Sequence, residues 1–238
     1  MTANQSVLEL EQNLKTIREK TARALLNSGH AGSKVRIMAV TKTVEPQRVN
    51  QAIRLGIDLI GENRVQELLE KYDSYDREHC EIHFIGHLQT NKVKYIIDKV
   101  DMIESVDSLR LAQEIERQCV KAGRSMEVLI QINAGREEGK YGLFPEKLPG
   151  FLEKISDYPH LFVKGLMAVV PKCEENAEIC KYFMNMDKLF LDSQCKNGHN
   201  ITMVCLSMGM TGDYVSAVKY GATIIRIGRG LFGERPKV

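Results

Sequence analysis

The sequence predicts a single (β/α)8 barrel, and three observations carry that expectation. Eight short apolar runs rich in Val, Ile and Met alternate with longer amphipathic stretches from residue 35 almost to the C-terminus. No Pro/Gly/Ser-rich linker or low-complexity segment interrupts them, whereas a doubly wound sheet would have fewer repeats and an explicit crossover. The apolar runs also end on polar residues unusually often, and in such barrels the strand ends build the active site.

Ahead of the first run, MTANQSVLELEQNLKTIREKTARALL places Val7, Leu8, Leu10, Leu14, Ile17, Ala22 and Leu25 near helical spacing. That predicts a helix within residues 1–30 docked on the barrel. Charges spread through the stretch leave no uninterrupted apolar segment, so it reads as neither a secretory signal nor a membrane span. The strand runs are VRIMAVTK (35–42), DLIGEN (58–63), IHFIG (82–86), DMIESV (101–106), EVLIQIN (127–133), LFVKGLMAVV (161–170), ITMVCLSM (201–208) and ATIIRIGR (222–229). Between them PQRVNQAIRLG, RVQELLEKYDSY, TNKVKYIIDK, SLRLAQEIERQCVKAG and NAEICKYFMNMDKLFLDSQCKNG read as helices. Pro46 opens the first of these, several close on Gly, and another is expected from near Gly212. Residues 1–238 are read as one domain.

Composition narrows the function. The 33 basic and 31 acidic residues are interleaved and leave a net charge of +2, so no broad positive field exists to hold a nucleic acid. Six cysteines without a CxxC pair or a Cys/His metal spacing read as reduced thiols of a cytoplasmic protein with no metal site. No heptad seam or long exposed apolar strand calls for an obligate oligomer, so a monomer is expected.

The strand runs close on Lys42, on Glu62 and Asn63, near His87, on Asn133 and on Ser207, and the last carries Arg226 and Gly228. Singly, each has a plain reading: the lysine is solvated, the asparagine shapes a turn, the histidine is a hydrogen-bonded structural residue. Together they converge on one barrel mouth. The recurrent phosphate site of these barrels lies after strands seven and eight, where this chain reads SMGMTGD (207–213) and GRG (228–230). There backbone N–H groups and a helix dipole can face a dianion, with hydroxyls from Ser207 and Thr211 and charge from Arg229. The other reading is that the glycines only make tight turns. A phosphate across the mouth from a lysine suits pyridoxal phosphate, whose aldehyde Lys42 would hold as a Schiff base. An apolar wall and nearby cations favour the nucleophilic free amine, although a strand-terminal lysine can simply snorkel to solvent. Arg226 shares a strand face with Ile224 and Gly228. Aimed inward, it would meet the pyridine nitrogen and keep it unprotonated, unless it pairs with a barrel carboxylate such as Glu62.

AVTKT, GENRVQE, HFIGHLQTNK, GLMAVVP, LSMGMTGDY and RIGRGLFGER, in this order from about residue 35 to 235, resemble the YggS/PROSC family of pyridoxal-phosphate-binding homeostasis proteins. The resemblance implies a barrel similar to the N-terminal domain of bacterial alanine racemases, with pyridoxal 5'-phosphate linked through Lys42. It implies phosphate contacts at Ser207, Met208, Gly209, Thr211, Gly228 and Arg229. It also sets Arg226 at the pyridine nitrogen, Asn63 near the ring and Met167 in the wall beneath, with His87 and Lys140 at the rim. Thr211 stands where many members have serine, which keeps the hydroxyl, and Arg229 stands where threonine is common, which puts that side-chain contact in doubt. GREEGKYG (135–142) reads as a loop carrying Lys140 and Tyr141 near the mouth.

Three functions remain open on sequence. The first is a binder that holds the cofactor, limits its free aldehyde and supplies apo-enzymes without turnover. The second is a racemase, which needs an opposing base that alanine racemases take from a further domain, for which the chain as given leaves no room; Tyr141 or Tyr214 would have to substitute. The third is a phosphate-binding barrel enzyme using Glu62 or Glu104.

Overall fold

In the computed structural model, residues 3–171, 173, 175–195 and 198–234 are described. Eight strands close a barrel in sequential order: β1 (Arg36–Val40), β2 (Leu59–Glu62), β3 (Glu81–Phe84), β4 (Met102–Val106), β5 (Met126–Ile132), β6 (Leu161–Ala168), β7 (Ile201–Met210) and β8 (Ile224–Ile227). Every neighbouring pair is parallel, including β8 with β1, where Met38 lies opposite Arg226. The connecting helices are α2 (Pro46–Arg54), α3 (Val65–Lys71), α4 (Val93–Ile96), α5 (Leu109–Ala122), α6 (Leu148–Ile155), α7 (Asn176–Gln194), α8 (Tyr214–Lys219) and α9 (Arg229–Phe232), preceded by α1 (Ala3–Leu26).

Local chemistry explains the element ends. Pro46 opens α2, where a missing N–H costs nothing. Ser108 caps α5 by accepting the Leu111 N–H, and Gly123 ends that helix in the left-handed conformation. On α1, Leu10, Leu14, Ile17, Thr21 and Ala24 are buried at helical spacing, and the helix packs on α8 and α9, where the barrel closes. None of the described helices is long and apolar enough to cross a membrane.

Strand parity divides the core. Ala39, Ile60, Ile82, Phe84, Ile103, Val128, Leu166, Leu206 and Ile225 join the large cluster beneath the helices. Inside the barrel are Met38, Leu59 and Ile224 in one cluster and Met102, Leu129 and Met167 in another. Methionine is unbranched and fills an irregular interior well. Gly165 lets β6 and β7 meet. Its φ is +151°, and a β-carbon there would lie 1.8 Å from the Cys205 carbonyl oxygen. Gly165→Ala is therefore expected to destabilise the fold by about 3 kcal/mol, read from urea unfolding midpoints.

Several boundaries differ from the sequence reading. β1 stops at Val40, which leaves Lys42 in the following turn. β7 runs on to Met210, so Ser207, Met208 and Gly209 lie in a strand and only Thr211 onward forms the loop, with α8 starting at Tyr214. α6 is an additional helix between β5 and β6, and its Pro149 sits in the first turn, where proline is tolerated. The helix read over 176–198 ends at Gln194, with residues 196–197 outside the described set.

Candidate functional site

Lys42 occupies the second position of a turn closed by the Val44 N–H donating to the Thr41 carbonyl, 3.0 Å. Its flanks are fixed from outside the barrel. The Thr41 hydroxyl donates to Glu62 Oε1 at 2.6 Å, and the Thr43 N–H donates to Glu67 Oε1. A cavity of about 240 Å³, lined by Val40, Thr43, Arg48, Gly228, Arg229 and Phe232 among others, sets this turn against the exit of β8.

The exits of β7 and β8 are clasped together. Gly230 N–H donates to Thr211 Oγ1 at 3.1 Å, and a β-carbon on Gly230 would lie 2.9 Å from Thr211 Cγ2. Gly209, with φ +91°, allows β7 to press on α8, because a β-carbon there would meet the Ala217 β-carbon at 2.5 Å. Met208 buries its side chain in the helix-facing core, which leaves its main chain as what it can offer a ligand. Asp213 accepts the Met210 N–H at 2.5 Å. Burial pushes its carboxyl up, against the hydrogen bond from Met210 and the charge of Arg226.

Arg226 is 4% exposed inside the barrel. It donates to Ser207 Oγ at 2.8 Å and to the Ala168 carbonyl at 2.7 Å. Ser207 in turn donates to Glu104 Oε2 at 2.6 Å, and Glu104 Oε1 meets His83 Nδ1 at 2.7 Å. His83 Nε2 faces Glu81 at 3.5 Å, and Glu81 pairs with Arg36 at 2.7 Å on the opposite end of the barrel. Buried Arg226, Glu104 and His83, half-buried Arg36, exposed Glu81 and one serine thus form a continuous line. Burial would raise the Glu104 pKa, but the hydrogen bond and charge of His83, then Arg226 and Ser207, hold it below the usual carboxylate value. Burial would likewise discharge His83, but Glu104 and Glu81 outweigh it and raise its pKa. Glu81 is lowered to about 2, first by its hydrogen bond with His83 and then, against burial, by Arg36.

At the rim, His87 and Tyr141 stack with ring centroids 3.7 Å apart, and His87 Nδ1 lies 4.0 Å from Asp107. Asn133 shapes the 134–140 loop by donating to the Glu137 carbonyl and accepting its N–H, so Lys140 stands on a held turn.

The predicted residues sort accordingly. Lys42, Arg226, Gly228, Arg229 and Thr211 gather around the exits of β1, β7 and β8, while Met167 lies in the inner wall. Asn63 follows β2 directly, and its buried Oδ1 has no partner among the described residues. Ser207 is committed to Arg226 and Glu104, deeper than the phosphate position expected for it. Glu62 does not pair with Arg226. It faces outward, bonded to Thr41 and Tyr75, and its place as counter-charge is taken by Glu104. Tyr214 is buried in α8, and Tyr141 is exposed at the rim in the stack with His87. His83 went unrecognised in the sequence; the available signal was its alternation with Ile82 and Phe84, which puts a histidine on the inward parity.

A barrel with an amine-bearing turn after its first strand and clasped glycine loops after its last two is of the alanine racemase type, and the model of the alanine racemase N-terminal domain matches residues 9–236. Within that class the chain belongs to the YggS/PROSC family of pyridoxal phosphate homeostasis proteins. A pyridoxal phosphate homeostasis protein of Aquifex aeolicus is 38% identical over 224 residues, 94% of this chain and 97% of the relative. Among solved structures, an unknown protein from Bifidobacterium adolescentis aligns with a TM-score of 0.92 at 30% identity, covering 98% of both chains. PipY of Synechococcus elongatus with PLP bound aligns at 0.81 and 29% identity, covering 94% of this chain and all of PipY. Alanine racemase of Clostridium difficile, 17% identical, shares the fold with a TM-score of 0.73 over 57% of its own length.

Proposed function

We propose that this chain holds pyridoxal 5'-phosphate in the barrel mouth as a Schiff base on Lys42. It serves intracellular homeostasis of that cofactor, buffering it and supplying apo-enzymes without turning over amino acids. The residues fit the group: an unpartnered buried acceptor at Asn63, a clasped pair of glycine loops for a phosphate, and a lysine on the β1 turn, whose neighbours Val40 and Thr43 line the same cavity as Gly228 and Arg229. The bound cofactor would supply an aldehyde that condenses with an amine, releasing water, and a ring that can withdraw electrons.

The observation that carries the storage reading is Arg226. Ser207 and the Ala168 carbonyl fix its guanidinium, and an arginine keeps its proton. A ring nitrogen facing it would stay unprotonated and make a weak electron sink, which favours restrained cofactor chemistry over transamination and accords with retention. Relatives carrying the homeostasis name align over nearly their whole length, which supports the same role here. Six free cysteines accord with a reducing cytoplasmic setting, and the chain is read as a monomer.

The chain mixed with pyridoxal phosphate is expected to develop visible Schiff-base absorbance. Borohydride should then fix the cofactor mass on the peptide holding Lys42. Incubation with L-alanine followed by chiral chromatography should give no D-alanine above a control with free cofactor. Sustained racemization, lost in Lys42→Ala, would replace storage with catalysis.

A further inference from the structure

The turn that carries Lys42 is held in a conformation its sequence resists. Its third residue, Thr43, has φ +61°, a region that suits glycine or asparagine and that a β-branched residue avoids. Two groups on α3 grip both sides of the lysine. Glu67 Oε1 accepts the Thr43 N–H, and the Lys71 ammonium donates to the Thr41 carbonyl at 3.3 Å. Lys71 and Glu67 pair with each other at 2.5 Å across one helical turn, each side chain 14% exposed. Behind them, fully buried Glu62 accepts from the Thr41 hydroxyl and from Tyr75, both at 2.6 Å. Four contacts therefore fix the residues beside Lys42 and the pair that holds them. They all come from the β2–α3 unit.

We infer that Glu67 and Lys71 are positioning residues for Lys42: their ion pair locks the strained turn so that the amine is presented to the cofactor's aldehyde in a reactive orientation. The inference rests on the Schiff-base reading above and adds to it. Bond formation joins the lysine nitrogen to the aldehyde carbon while the carbonyl oxygen leaves as water with both amine protons. The orientation of the nitrogen sets the rate, and small misplacements of a reacting group are costly. The ion pair has no need to touch the cofactor to control this step. Burial would raise the Glu67 pKa, but Lys71 and the Thr43 N–H overcome it and lower it, so Glu67 grips the turn as a carboxylate at neutral pH.

The test follows absorbance growth after mixing pyridoxal phosphate with wild type, Glu67→Ala, Lys71→Met and the double variant Thr43→Gly with Glu67→Ala. Urea unfolding is run on each. The two single variants are expected to form the adduct on the order of 10- to 100-fold more slowly, with borohydride labelling still on Lys42. Glycine adopts the positive φ without strain, so Thr43→Gly should restore much of the rate lost in Glu67→Ala while leaving the ion pair broken. A folded Glu67→Ala that labels Lys42 at the wild-type rate overturns the inference and leaves the storage reading standing. So does a slowing that the glycine substitution fails to relieve. Failure of wild type to label Lys42 at all overturns both, and is read separately.

Discussion

Lys42→Ala is expected to abolish borohydride-fixed cofactor altogether while changing stability by about 1 kcal/mol at most. The asymmetry follows from where the lysine stands. It lies in a turn beyond β1, half-buried, outside every apolar cluster that holds the barrel together, while its neighbour Thr41 does the structural bonding to β2 and Glu62. The clasped loops of β7 and β8 stay intact in the variant, since Thr211 and Gly230 bond to each other across the mouth from it. Weak, reversible retention of pyridoxal phosphate is thus expected to persist and to be lost on gel filtration. Covalent label on Lys71 or Lys140 in the wild type would misplace the site, because both are lysines near the same mouth with other work: Lys71 is tied to Glu67, and Lys140 stands on the Asn133 turn.

What the sequence could reveal depended on how local the cause was. The alternation of β-branched runs with amphipathic stretches is a short-range signal, and all eight strands appear where it put them, within a few residues. Lys42, Thr211 and Gly228 could be named because they sit at strand exits, where a glycine or a lone cation breaks the apolar pattern. The identity of Arg226's partner was not legible. Glu62 and Glu104 both lie near strand ends, and only their depth and facing separate them: one looks outward to Tyr75, the other inward to Ser207 and His83. The reach of β7 was likewise only partly legible, since the run read as ending at Met208 continues to Met210, and the commitment of the Ser207 side chain to Arg226 and Glu104 is a long-range contact. The Glu67–Lys71 grip depends on how α3 docks beneath the β1 turn, a distance of more than twenty residues along the chain that no periodicity records.

The buried line through the barrel should carry the largest stability effects in the molecule. Glu104→Gln leaves Arg226 and His83 inside the barrel without the carboxylate that compensates them, and loss of one partner in such a buried array costs about 3–5 kcal/mol. Its dependence on pH has a definite sign. The folded-state pKa of Glu104 is depressed, so its contribution is present above the unfolded carboxylate value, about 4.3, and fades as pH falls through the folded value. The pKa of His83 is raised, so its contribution is full below about 6.5 and fades as pH rises through the folded value. Both are complete together only between these limits. The difference in unfolding free energy between wild type and His83→Leu should therefore be largest near pH 5.5 and shrink toward pH 9, measured by urea titration at each pH. A difference that instead grows as pH rises through about 6.5 would mean that His83 is neutral in the folded protein throughout. Glu104 would then serve Arg226, through Ser207, with no competing cation at His83, and the line of charges would end at Glu104.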